Sequence, residues 1–241
     1  MNSKYLINLA IKYHGNYDKI FKAVKNKEVT EIIYDDVLAF TILDDCYPSE
    51  LLDLKKPPLV LFYRGNLNLL SKDKIAIVGS RMPSDYAKKV TKDLIVSLDK
   101  KKVTVSGLAK GIDAIVHENS LDRTIAVLGC GIDYVYPKCN KILYKMIEDQ
   151  GLIISEYPFD EKPQKYYFPF RNRIVAALST KIIVTAASCN SGTMITVNEG
   201  LELNRDIYTF PYSIYDKNGE GCNNLIQQGA NLILFDDLKN L

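Results

Sequence analysis

Small, hydroxyl-bearing and cationic residues gather in a few short stretches of this chain. They are Gly79-Ser80-Arg81, the run SGLAKGID with Ser106, Gly107, Lys110 and Gly111, the triplet Gly129-Cys130-Gly131, and Asn190-Ser191-Gly192-Thr193. Glycine lets a backbone approach a ligand closely, and amides that open a helix point at anions. Hydroxyls, with Arg81 or Lys110, add charge-assisted hydrogen bonds, so the chemistry these stretches suit together is phosphate binding. A further stretch, YYFPFRNRIVAALS at 166–179, sets Tyr166, Tyr167, Phe168 and Phe170 directly before Arg171, Asn172 and Arg173. Rings that stack on bases and guanidiniums that meet phosphates are what a single-stranded nucleic acid requires. Lys162 and Lys165 extend the basic character upstream. The competing reading makes Phe168 and Phe170 core residues and pairs the arginines with acids.

Catalytic constellations are missing. GCGIDY lacks the third glycine of the dinucleotide fingerprint, and no GxxxxGK[ST] run occurs. Neither His14 nor His117 has an evident Ser or Cys partner, and His117, in DAIVHENS, reads as a packed or capping residue. Asp113 and Asp133 follow glycines at helix starts, where a carboxylate complements the helix dipole. The five cysteines are scattered, with no CxxC pair, so neither a metal site nor a disulfide framework is expected. No cofactor is expected either.

Those stretches need a scaffold, and the 241-residue chain supplies a regular one. Apolar strand candidates run at 59–65, 74–80, 102–107, 124–129, 151–156, 181–186, 206–211 and 230–235. Helical patterns at 84–100, 111–121, 139–149, 170–178, 192–204 and 222–228 alternate with most of them. Near-continuous apolar strands alternating with helices predict an α/β fold: a Rossmann-like, doubly wound, mostly parallel sheet covered on both faces. Such sheets bind ligands beyond the carboxyl ends of their strands, where the glycine-rich stretches fall. Residues 1–56 read differently, as a small helical appendage closed by KKPP, which gives a division into 1–56 and 57–241. Hydrophobic content of 47% supports a sizeable core, and a net charge of +2 requires any nucleic-acid site to be local. The N-terminus fails as a signal peptide, and no apolar run approaches the roughly 18 residues of a membrane span, so a cytoplasmic protein is expected.

Taken in order, IAIVGSR (75–81), SGLAKGID (106–113), TIAVLGCGIDYVYP (124–137), GLIISEYP (151–158), FPFRNR (168–173), SGTMIT (191–196) and CNNLIQQGA (222–230) resemble the DprA (Smf) family of DNA-processing proteins. YPSELLDLKKPPLVLFYRGN (47–66) resembles the family's approach segment. The resemblance implies a domain that binds single-stranded DNA without being an enzyme, dimerises, and helps load a RecA-type recombinase during natural transformation. It places the family's phosphate-binding arginine at Arg81, its SGLARGID loop at 106–113 with Lys110 in place of arginine, and its FPxRNR motif at 168–173. It also points to 222–230 and the preceding strand as the dimer surface. The sequence departs from the family at Thr185, where a glutamate is usual, and at Tyr212, where Pro211 would precede glycine. Many members carry a C-terminal winged helix, for which the sequence to Leu241 leaves no room. An alternative is a nucleotide-handling enzyme resembling the lysine-decarboxylase-like phosphoribohydrolases, which would require Glu199 to face the pocket.

Overall fold

Alternation within the strands explains the layering. In Lys74–Gly79 (β3), Ile75 and Ile77 pack on one face while Ala76 and Val78 pack on the other, and all four are buried. The same split recurs in Thr124–Gly131 (β5), with Ile125 and Val127 opposed to Ala126 and Leu128. Strands apolar on both faces need helices on both.

The computed structural model describes residues 2–31, 34, 36–234 and 236–237. Its remaining strands are β1 (Ala39–Thr41), β2 (Val60–Gly65), β4 (Val103–Ser106), β6 (Leu152–Tyr157), β7 (Lys181–Ala186), β8 (Asp206–Thr209) and β9 (Asn231–Leu232). The helices are α1 (Ser3–Lys12), α2 (Tyr17–Lys25), α3 (Asp85–Ser97), α4 (Ile112–Glu118), α5 (Lys141–Gln150), α6 (Tyr167–Ala177), α7 (Gly192–Glu202) and α8 (Glu220–Gln227). Helices α6, α7 and α8 cover one face; α1, α2 and α5, with α3 and α4, cover the other. Side-chain caps open three of them, with Asn2, Asn16 and Ser84 accepting from the amides of Tyr5, Lys19 and Ala87.

Strand order is β1-β2-β6-β5-β4-β3-β7-β8-β9. The chain steps outward from β3 to β6, then crosses back to place β7 on the other side of β3, where Ala76 pairs with Ile182 in parallel. That reversal is the switch point of a doubly wound sheet, and its crevice opens at the carboxyl ends of β3 and β7. The expected α/β class therefore stands, with two differences. The expected strand 59–65 is antiparallel to β6, and it carries a further antiparallel partner, β1, which is too short for an alternating pattern to be legible. The segment read as a helical appendage thus supplies a strand. Its helices bury Leu6, Leu9 and Ile20 in one cluster with Val60, Phe62 and Leu128. Of the expected strand 230–235, Asn231–Leu232 is extended, and Phe235 lies outside the described residues. Among the described residues no helix is long and apolar enough to cross a membrane.

Candidate functional site

Helix α6 begins at Tyr167, three residues before the expected start at 170, because Pro169 stands in its first turn, where a missing N–H costs nothing. The aromatic run is therefore the helix's own first turn, and helical rotation sends its rings in different directions. Tyr167 is buried and stacks on Tyr157 with centroids 3.8 Å apart. Tyr166 is exposed. Phe168 faces the crevice with Tyr136 5.4 Å away, and Phe170 lies on the far side against Tyr17.

The crevice has a volume of about 570 Å³. Gly79, Ser80 and Arg81 from the end of β3, Gly107 after β4, Arg171 and Asn172 from α6, and Ser191, Gly192 and Thr193 at the start of α7 all line it. Arg81 is exposed, stands 5.9 Å from the centre of the Phe168 ring, and forms no ion pair among the described residues. The Ser80 hydroxyl accepts from the Met82 amide at 3.1 Å and so shapes the turn that presents Arg81. Gly111 holds a φ of +77°, and a Cβ there would lie 2.4 Å from the Ser80 carbonyl, so the two loops meet only because this residue is glycine. Lys110 is exposed and borders a smaller hollow of about 220 Å³ on the other side of Phe168. The Ser191 hydroxyl is buried and has no hydrogen-bond partner among the described residues, and Asn172 Nδ2 approaches the Gly192 carbonyl at 3.5 Å. The first amides of α7 therefore open onto the crevice, where a helix N-terminus attracts anions.

The two arginines of α6 differ from expectation. Arg171 lines the crevice but is 5% exposed. It donates to the Gly107 carbonyl at 2.6 Å, to the Val127 carbonyl, and to Asn172 Oδ1 at 3.1 Å. A Cβ on Gly107 would come within 2.4 Å of both its terminal nitrogens, so the guanidinium and the 106–111 loop are fitted to each other. Burial pulls the Arg171 pKa down, and the nearby Asp113 carboxylate opposes that pull. Arg173 does not face the crevice. It forms a bidentate pair with Glu156, both contacts 2.7 Å and both side chains 6% exposed, and lies 3.7 Å from the centre of the Phe170 ring. Its Nε donates to the Lys56 carbonyl at 3.2 Å, which fastens the approach segment to α6. Ser106 is likewise internal, donating to the Ile77 carbonyl at 2.8 Å and tying β4 to β3.

The lining is completed by Phe168 and Lys165 from the aromatic and basic stretch, by Asp113, which the sequence pattern assigned to structure, and by Tyr136, to which it gave no role. Phe168, Tyr136 and Lys165 edge the mouth, and Asp113 forms part of the floor. Burial raises the Asp113 pKa, countered first by Arg171, and its carboxylate accepts from the Ala109 amide at 3.2 Å. Phe168, three residues after Lys165 and directly before Pro169, gives no sequence signal of which way it points; only the helical start does. Thr185 and Tyr212, the two departures, lie away from the crevice. Thr185 accepts from the Thr91 hydroxyl at 2.9 Å, and Tyr212 donates to the Thr185 carbonyl and packs edge-on against Tyr86. Glu199 is absent from the lining, and its charged neighbours are Glu202, Arg173 and Lys55. His117 is fully buried, with Nδ1 2.7 Å from the Thr124 hydroxyl, and burial, with a smaller push from Arg171, lowers its pKa to about 3.

A doubly wound α/β domain with a cationic, ring-edged crevice at its switch point is the class this geometry defines. The chain belongs to the family described as DNA recombination-mediator protein A, whose model matches residues 39–240. It is 46% identical over 198 residues to the DNA processing protein DprA of Streptococcus pneumoniae, covering 81% of this chain and 70% of that one. The X-ray structure of the same relative superposes with a TM-score of 0.80 over 90% of this chain and 77% of that chain, at 43% identity. Protein Smf of Synechocystis is 42% identical over 202 residues, covering 80% of this chain and 51% of that protein. The DNA processing protein A of Helicobacter pylori superposes with a TM-score of 0.78 at 34% identity, over 85% of this chain and 94% of that one. That structure concerns the single-stranded DNA binding mode of the Helicobacter protein. The chain thus spans from about half to 70% of the length of these curated relatives.

Proposed function

We propose that the crevice binds single-stranded DNA without catalysing a covalent step, and that the chain works in the cytoplasm as a homodimer that helps load a RecA-type recombinase during transformation. The observation that carries the binding reading is the pairing of Arg81, exposed and without an ion-pair partner among the described residues, with the Phe168 ring at the crevice mouth. Phe168 stacks a base while Arg81, Lys110, Lys165 and the first amides of α7 hold the adjoining phosphates. The family description supports the recombination role, and the Helicobacter relative supports the choice of ligand. The segment 222–230 with the preceding strand is the proposed dimer surface, and two linked crevices would raise the avidity for a long strand. Glu199, which the nucleotide-handling alternative requires in the crevice, does not line it.

Fluorescence anisotropy of a labelled oligo-dT, with duplex DNA and AMP as competitors, tests the reading. Duplex and AMP should compete poorly, and Phe168→Ala should weaken oligo-dT binding about tenfold, within the range of base–ring stacking. AMP bound or cleaved in place of oligo-dT would overturn it.

A further inference from the structure

The rings of α6 that turn away from the crevice continue onto the N-terminal helices. Phe170 meets Tyr17 of α2 with centroids 6.5 Å apart, and Tyr17 stacks on Phe21 at 6.0 Å with planes 11° apart. The outermost ring, Phe21, is 52% exposed. Cations accompany the row. Lys56 Nζ stands 5.5 Å from the centre of Tyr17 and pairs with Asp18 at 2.6 Å. Lys19, Lys22 and Lys25, all exposed on the same helix or at its end, form no ion pairs among the described residues.

Asp18 is the single acidic residue of α2, and it is occupied by Lys56. The row Phe170, Tyr17 and Phe21, with Lys19, Lys22 and Lys25 on the helix that carries its last two rings, has the composition of a track for unstacked bases and their phosphates. The row is anchored at its start: Arg173 lies 3.7 Å from the centre of Phe170 and is locked by Glu156, so this ring is held in place before any ligand arrives. A rigid platform loses little entropy when a flexible strand settles on it.

We infer that α2 carries a second single-strand contact, in which Phe21 stacks a base and Lys22 and Lys25 take phosphates, extending the path of a strand that leaves the crevice over α6. This rests on the single-strand reading of the crevice. It gives the N-terminal helices a role in setting how many nucleotides the domain engages.

The chain contains no tryptophan, so Phe21→Trp, at an exposed position, places one reporter ring on the platform. With dT25 at saturation, judged by anisotropy, the Phe21→Trp emission should be quenched, whereas saturating dT6 should leave it largely unchanged. Phe21→Ala should weaken dT25 binding about fivefold and leave dT6 within twofold. The pair Lys22→Ala and Lys25→Ala should flatten the salt dependence for dT25 by about 0.7 per lysine. Unquenched emission at saturating dT25, or Phe21→Ala binding dT25 as the wild type does, would overturn this inference alone. Failure of the wild type to bind either oligonucleotide would overturn the crevice reading and this one with it.

Discussion

The cations on α6 and those at the crevice mouth carry the same charge but do different work. Arg171 and Arg173 are each 5% exposed, and their donors already meet carbonyls, a carboxylate and a side-chain amide. Arg81 and Lys165 stand exposed at the crevice mouth, and Lys110 stands exposed at the smaller hollow beside it. A buried guanidinium is retained only when its hydrogen bonds are satisfied from within, so its charge is committed to shaping the loops. An exposed one keeps its donors for a ligand. Buried arginines thus build the crevice, and exposed cations serve it.

Breaking the buried set should cost stability first. Arg173→Met leaves Glu156 buried without its partner and should destabilise the fold by about 3–5 kcal/mol in urea denaturation, while the folded fraction keeps its affinity for dT6, which the crevice alone engages. An affinity loss larger than the stability loss explains would move Arg173 into the serving set. Arg171→Met orphans the Gly107 and Val127 carbonyls, at about 1–3 kcal/mol each. Because it also frees the 106–111 loop, it should weaken binding without changing the salt slope, since no phosphate contact is removed.

A third test concerns His117, a buried group kept neutral beside these cations. Its pKa falls from 6.5 to about 3 on folding, so the unfolded chain binds the extra proton at intermediate pH. Its stabilising contribution is fully present above pH 6.5 and is lost as pH falls through the window toward 3. Between pH 7 and pH 5 the wild type should therefore lose about 2 kcal/mol more than His117→Gln, measured as the pH dependence of unfolding free energy. Parallel pH profiles would show that His117 is protonated in the native state.

Much of this arrangement was legible in the sequence because long apolar runs and glycine-rich strand ends are local signals. β3, β5, β6 and β7 fall within two residues of their expected bounds, and the loops after β3, β4 and β7 converge on one crevice as the switch-point rule requires. What escaped depends on distant partners. Glu156 lies 17 residues before Arg173 in a strand that reads as core, so nothing local announces the pair. Ser106 looks like a ligand hydroxyl until β3 supplies the Ile77 carbonyl. β1 is three residues long and exists as a strand only through its pairing with β2. Phe168 and Phe170 are indistinguishable by type, and only the start of α6 at Tyr167 sends one ring to the crevice and the other to α2.

The separation of building from serving cations is tested most directly at Arg81. Oligo-dT affinity would be measured across a salt series for the wild type and Arg81→Ala, with urea denaturation of both proteins alongside. Arg81→Ala should bind about tenfold more weakly at low salt, with a salt slope shallower by about 0.7 and an unchanged urea midpoint. Equal affinities and equal slopes for the two proteins would contradict that separation.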